Sequence, residues 1–242
     1  MPHMTVGSFS AIGARPIQED ALWLDREKGV FVLADGFGGG AGAHAAQRSV
    51  EEVGHFLAVQ ARDEEATLPH VFHSYYSLPA NLLFNSLVHA NHGLKKWNSE
   101  RPFSMRGGAS LLAAFLDEGH LSIANVGTCS AWLRREGRVK ELVVPRDYAR
   151  LRDPLFPREE HSAPLMALGL DADLEPEVVE LRLQSGDCVL LHTDGIRPSH
   201  RDQIFSFSAR GCLGTSGVSS LLGLLSGEVF RDNASFLFLS LD

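Results

Sequence analysis

Cysteine is scarce in this chain: Cys129, Cys188 and Cys212 are odd in number and widely spaced, so neither a disulfide framework nor a zinc site is expected. Reduced, buried thiols are the expected state. Basic residues are also in deficit, 22 Lys and Arg against 30 Asp and Glu. The resulting net charge of -8 and pI of about 5.7 leave a nucleic-acid partner without electrostatic support. Long apolar runs are missing too. No stretch approaches the roughly 20 residues that cross a bilayer, so no membrane insertion is expected. The opening Met1–Val6 has neither the basic nor the apolar region of a signal peptide, which places the expected location in the cytoplasm. The chain's 44% hydrophobic residues suffice for a sizeable core, and neither a repeat nor a linker breaks it. Residues 1–242 therefore read as a single domain.

Strand patterns open the chain at Thr5–Ile12, Ala21–Asp25 and Val30–Ala34, the last two joined by a hairpin-like turn at Arg26–Gly29. Ala45, Val50, Val53, Phe56 and Leu57 recur at helical spacing and predict an amphipathic helix over Ala41–Arg62. A second helix is predicted over Leu78–Trp97, weakened locally by Asn91-His92-Gly93. Short strands follow at Ser110–Leu116, Leu121–Val126, Ala131–Arg135 and Val139–Val144, and their tight turns read as one antiparallel meander. Pro145–Pro164 is charged and proline-rich and reads as an excursion or flap. Val178–Leu183 and Cys188–Thr193 are expected to pair around Gln184–Asp187, before a last helix over Gly214–Phe230 and a closing strand at Ala234–Leu241. This order predicts an α+β fold with helices layered on mainly antiparallel sheet.

Acidic residues gather where these elements end. Val32–Gly40 is an apolar run that stops at Asp35 and runs into glycines, which can offer a hard cation both a carboxylate and a backbone carbonyl. By itself, an Asp-Gly step after a strand is more often a plain turn. Glu19-Asp20, Asp194-Gly195 and Asp232-Asn233 repeat the pattern at other strand ends, and one shared oxygen-rich cavity would suit Mg²⁺ or Mn²⁺.

These residues also carry a family resemblance. Gly13, Arg15 and Gln18–Asp20, the Ala34–Gly39 loop, Asn125–Gly127, Leu168-Gly169, the block Gly186–Ile196 and Asp232-Asn233 occur in the order seen in the metal-dependent protein phosphatases, the PPM or type 2C family, in their compact bacterial form. The resemblance spans about Val6 to Leu241. It implies a four-layer α-β-β-α sandwich, two mainly antiparallel sheets flanked by helices, with a dinuclear Mn²⁺ or Mg²⁺ centre at one end. By position, Asp35 would bridge the two ions and Gly36 would lend its carbonyl. Asp194 and Asp232 would ligate the second ion, Glu19 and Asp20 would hold ion-bound waters, and Arg15 would grip the substrate phosphate. Catalysis would fall to Arg15, Asp35 and Asp194, with no covalent phosphoenzyme; no cysteine sits in a loop that could cradle a phosphate.

The chain departs from the family at three places. Gln18 stands where Asn is usual, and Phe37 where relatives carry His or Met. After Asn125–Gly127 the relatives continue with Asp, which helps to hold a third ion; here Thr128 follows, so a third site is expected to be weak or absent. The resemblance implies hydrolysis of phosphoserine and phosphothreonine in proteins, opposing a Ser/Thr kinase in bacterial signalling. Two alternatives stay open: a catalytically weak pseudophosphatase that binds phosphoproteins or scaffolds a complex, and a hydrolase of some non-protein phosphate. His44 could approach the site, Trp23, Trp97 and Trp132 read as core or partly buried aromatics, and the mixed charges of Arg146–Glu160 as a solvated loop near substrate.

Overall fold

The computed structural model describes residues 4–60, 68–153, 163–170, 173–209 and 230–241, together with residues 221, 223 and 225. Ten strands form among the described residues: β1 (Met4–Ala11), β2 (Asp20–Asp25), β3 (Val30–Phe37), β4 (Gly108–Asp117), β5 (His120–Val126), β6 (Ser130–Arg135), β7 (Arg138–Val143), β8 (Glu177–Arg182), β9 (Cys188–His192) and β10 (Ala234–Leu241). They build two antiparallel five-stranded sheets, ordered β1-β10-β9-β6-β7 and β2-β3-β4-β5-β8. Helices α1 (Gly40–Gln60) and α2 (Leu78–Ser99) cover the outer face of the second sheet. The short α3 (Tyr148–Arg152) lies in the excursion after β7, and α4 (Pro198–Ala209) covers the first sheet. The architecture is α+β, helices over two stacked sheets.

Three apolar clusters hold these layers. Between the sheets, Phe31, Leu33, Leu112 and Ile123 meet Ala131, Val189, Leu191, Leu237 and Leu239. Outside the second sheet, Val30, Val32 and Leu111 meet Val50, Val53 and Leu57 of α1 and Leu83, Leu87 and Leu94 of α2. β3 therefore buries alternate residues on both faces, and its run of bulky apolar residues without alternation follows. Outside the first sheet, Leu190, Phe236 and Phe238 pack on Ile204 and Phe205 of α4, with Leu221 and Leu225 in the same cluster. The last helix expected over Gly214–Phe230 lies outside the described residues apart from 221, 223, 225 and 230, as do Cys212 and residues 154–162 of the expected flap.

Two pairings differ from expectation. β4 to β7 do not form one meander: β4 and β5 pair in the second sheet, β6 and β7 in the first, and residues 127–129 carry the chain between sheets. The reason is where the apolar residues point: Leu121 and Ile123 of β5 and Ala131 and Leu133 of β6 fill the inter-sheet core from opposite sides. Nor do β8 and β9 pair. β8 alternates polar and half-buried residues and forms the edge beside β5, whereas β9 is buried along its whole length and sits between β10 and β6. Asp187 closes the crossing turn, accepting from Gln184 N at 2.8 Å and from Arg135 through two bonds of 2.8 and 2.6 Å. Helix α2 runs unbroken through Asn91-His92-Gly93, where Asn91 accepts from Gly169 N at 2.8 Å and the Glu52 side chain of α1 lies against Gly93.

Candidate active site

The ladders fix where the acidic residues stand. Asp20 opens β2 and is paired in register with Asp35 near the end of β3, and Asp35 is paired in turn with Ser110 of β4. In the other sheet Asp194 follows β9 and Asp232 precedes β10, with Thr193 N bonded to Ser235 O at 3.0 Å. All four aspartates thus share one end of the sandwich. A cavity of about 610 Å³ opens there, walled by Arg15, Glu19, Asp35, Gly36, Asp194 and Asp232, with Phe37, Ser110, Thr128, Ala163, Pro164 and Asn233 among its other residues. Asp20 lies behind this wall, buried, with Oδ2 accepting from Thr193 Oγ1 at 2.9 Å.

Backbone geometry makes the glycine after Asp35 obligatory. Gly36 N donates to Glu19 O at 3.0 Å, and a Cβ on Gly36 would collide with the Gly42 carbonyl at the start of α1. The loop that carries Arg15 is bolted down by Asn233. Its Oδ1 accepts from Glu19 N at 2.8 Å, and its Nδ2 donates to Ile12 O at 2.8 Å and Ile17 O at 3.0 Å. Gln18, in place of the family's Asn, accepts from Asp20 N at 3.2 Å and donates to Ser10 Oγ at 2.9 Å. Asn233→Ala removes three largely buried hydrogen bonds. It is expected to cost about 2–3 kcal/mol at roughly 1 kcal/mol per bond. Urea denaturation checks the loss, and a midpoint like the parent's would show that the loop is held by other contacts.

The electrostatics of the cavity are those of crowded carboxylates. Burial raises Asp20 to about 7, against the bonds from Ser235 and Thr193, with Asp194 and Asp232 adding to the rise. Burial, then Asp194 and Asp20, hold Asp35 well above the usual carboxylate range. Glu19 is raised by burial, partly offset by Arg15. Arg15 grips Asp232 through Nε–Oδ1 and Nη2–Oδ2 bonds of 2.7 and 2.6 Å, and it is 54% exposed at the cavity mouth.

Among the described residues, no three Asp, Glu, His or Cys side chains stand together as a finished metal site. The carboxylates ring the cavity, and Asp232 is turned onto Arg15. The donor chemistry nonetheless fits a hard divalent cation. Asp20 Oδ1 and Glu19 Oε1 are buried without a hydrogen-bond partner, a costly state for carboxylate oxygens that an oxygen-seeking cation would relieve.

Other expected participants stand elsewhere. His44 stacks on Trp97 at 4.5 Å and takes no part in the cavity wall. Trp132 is buried, and Trp23 and Trp97 are half-buried against the core. Cys129 and Cys188 are free and buried, and burial raises the Cys129 thiol well above its ordinary range. The base of the expected flap does reach the site. Ala163 and Pro164 wall the cavity, Leu165 N bonds to Arg146 O at 3.0 Å, and Arg146 N bonds to Gly127 O at 3.0 Å. Ser110 has no signal in the sequence, whereas Thr193 and Asn233 stand in the Gly186–Ile196 and Asp232-Asn233 motifs without a role of their own being legible there.

Structural comparison extends over the whole sandwich. The serine/threonine phosphatase PstP/Ppp of Mycobacterium tuberculosis matches with a TM-score of 0.77 at 18% identity, over 99% of each chain. PppA of Pseudomonas aeruginosa, described as a key regulatory component of T6SS, matches with a TM-score of 0.75 at 22% identity, over 99% of this chain and 98% of that one. The catalytic domain of PstP in complex with two manganese ions matches with a TM-score of 0.76 at 19% identity, over 99% of each chain. The fold is that of the PPM Ser/Thr phosphatases. Residues 25–210 match the family model of stage II sporulation protein E (SpoIIE), and the chain belongs to that family. No curated protein matches it by sequence.

Proposed function

We propose that this chain is a Mn²⁺- or Mg²⁺-dependent phosphatase of phosphoserine and phosphothreonine in proteins, one PPM-type domain over residues 1–242 acting against a Ser/Thr kinase in cytoplasmic bacterial signalling. The observation that carries the reading is the set of buried, partly unpartnered carboxylate oxygens at one shared sheet end. The fold and the two manganese ions of PstP support it. In this reading Asp35, the Gly36 carbonyl, Asp194 and Asp232 would hold two divalent ions, and Asp20 and Glu19 would hold waters bound to them. When bound, the ions supply an acidified water as nucleophile and positive charge for the phosphoryl oxygens.

The chain's own residues do the rest. The Thr193 hydroxyl orients Asp20, and the Glu19 backbone is fixed by Gly36 and Asn233. Arg15 stands exposed on a braced loop, where its planar fork can exchange the Asp232 carboxylate for a substrate phosphate of similar geometry. The wall formed by Ala163 and Pro164 narrows the approach of water and substrate from the flap side.

Arg15→Ala is expected to raise KM for a phosphopeptide by roughly tenfold to a hundredfold, the 1.5–3 kcal/mol typical of a charged hydrogen bond. Bound manganese, measured by atomic absorption, should be unchanged. Unchanged kinetics would give Arg15 a structural role through Asp232. The Arg15–Asp232 pair favours one second reading, a catalytically weak module that binds phosphoproteins, because it engages two residues that catalysis needs. Hydrolysis of p-nitrophenyl phosphate and of a phosphothreonine peptide, with and without Mn²⁺, separates the readings. Turnover of both only with metal supports the phosphatase, and binding of the peptide without turnover supports the module.

A further inference from the structure

Two hydroxyls in the cavity wall, Ser110 and Thr128, stand outside the carboxylate set. Ser110 faces Asp35 in the β3–β4 register, and the turn after β5 places Thr128 directly on Ser110. That turn needs Gly127, whose φ of 95° and lack of a Cβ let the chain pass against the Ser110 side chain. Ser110 Oγ accepts from Thr128 N at 3.1 Å and also lies 3.1 Å from Thr128 Oγ1.

Either hydroxyl can donate in the second bond, and burial favours Ser110 as the donor. Ser110 is 1% exposed, and among the described residues its Oγ has no partner other than Thr128. With its proton on Thr128 Oγ1, the more deeply buried of the two O–H groups is satisfied. The Thr128 proton is left over, on the more exposed of the two residues. Of the other side-chain N–H donors of the wall, Asn233 is committed to Ile12 and Ile17, and Arg15 places Nε and Nη2 on Asp232. In a cavity crowded with carboxylates, Thr128 thus holds a neutral, uncommitted donor with a fixed aim.

We propose that Thr128, its hydroxyl aimed by Ser110, is a substrate-contacting residue that donates a hydrogen bond to a non-bridging oxygen of the phosphoryl group. The proposal rests on the phosphatase reading. A threonine hydroxyl is too weak an acid to protonate a leaving group, so its contribution is to bind phosphoryl oxygens in substrate and product alike. Ser110 is a positioning residue, acting through Thr128.

The test titrates inorganic phosphate into the Mn²⁺-loaded protein by calorimetry. Alongside it, KM and kcat are measured for p-nitrophenyl phosphate and a phosphothreonine peptide, with bound manganese determined for each variant. Thr128→Val is expected to weaken phosphate binding by about tenfold or more, the worth of a hydrogen bond to a charged group. KM should rise in the same proportion for both esters, since the bond is to an oxygen that both share, with bound manganese unchanged. Thr128→Ser should bind phosphate like the parent. Ser110→Ala should fall between Thr128→Val and the parent, because Thr128 is then present but unaimed. Phosphate binding by Thr128→Val at the parent's affinity overturns the proposal, as does a loss that follows loss of bound manganese. If Thr128→Val does not fold, Ser110→Ala decides, and parental phosphate binding there overturns the proposal equally. A parent protein that neither binds phosphate nor hydrolyses either ester removes the phosphatase reading and this proposal with it. A parent that hydrolyses both while the variants match it removes this proposal alone.

Discussion

Asp35→Asn is expected to lower phosphoester turnover by about a thousandfold or more, the several kcal/mol that metal-ion charge stabilisation supplies. The same change should make the metal-free protein more stable. Asp35 sits where the two sheets converge, in register with Asp20 and near Asp194, and burial among these carboxylates already raises its pKa well above the ordinary range. A folded chain that must keep such a group protonated or bear its charge loses stability at neutral pH, about 1.4 kcal/mol for each unit of displacement. Asparagine preserves the shape and removes the charge, so a gain in stability near pH 7 follows, and it should shrink as the pH falls and the parent carboxyl is protonated in both states. Urea denaturation in the presence of a chelator measures the gain, and phosphopeptide hydrolysis in Mn²⁺ measures the loss. A variant that turns over phosphopeptide near the parental rate would remove Asp35 from the metal site. One that is less stable without metal would show that its carboxylate makes a favourable bond.

The same opposition between stability and chemistry leaves traces in the sequence. Strand ends marked by Asp-Gly, at Asp35 and Asp194, are legible because a buried apolar run gives way there to a half-buried carboxylate and a glycine. So was β10, and its eight residues are all buried. Pairing was less legible. Gln184–Asp187 has the composition of a hairpin turn, and only the contrast between a wholly buried β9 and a half-exposed β8 shows that the strands belong to different sheets. Helix α4 gave almost no periodic signal, because Ile204 and Phe205, the buried apolar residues among its described positions, lie side by side. α3 is a five-residue turn started by Asp147, whose Oδ1 accepts from Arg150 N at 2.8 Å, and it is too short to show a period. In the site, the carboxylates announced themselves, but Ser110 is one serine in an apolar strand. Its meaning comes from register with Asp35 and contact with Thr128, 18 positions away.

The stability of the metal-free protein should fall as pH rises from about 5 to 7, and saturating Mn²⁺ should reverse that trend. Asp20 has a folded-state pKa of about 7 against an ordinary 3.8, so between these values the native state holds a proton that the unfolded chain has released. Stability then declines with rising pH, by up to about 1.4 kcal/mol per unit for each such proton. Asp35, raised in the same direction, adds to the decline. His192 opposes both. Burial lowers it to about 4 from an ordinary 6.5, while Nδ1 is bonded to Thr193 O at 2.8 Å. In that window the unfolded chain binds the extra proton, and the His192 contribution grows with pH until about 6.5. Two carboxyls against one imidazole leave a net decline, and the opposing contribution of the imidazole fades as the unfolded chain loses its proton above its ordinary 6.5. Mn²⁺ competes with protons for the same carboxylates, so its stabilisation grows with pH and reaches about 2.7 kcal/mol at a hundredfold excess over Kd. Denaturation midpoints at pH 5, 6 and 7, in chelator and in Mn²⁺, test both slopes. Asp35→Asn should flatten the first. A metal-free protein that instead gains stability from pH 6 to 7 would mean that these carboxylates are stabilised by partners other than a cation.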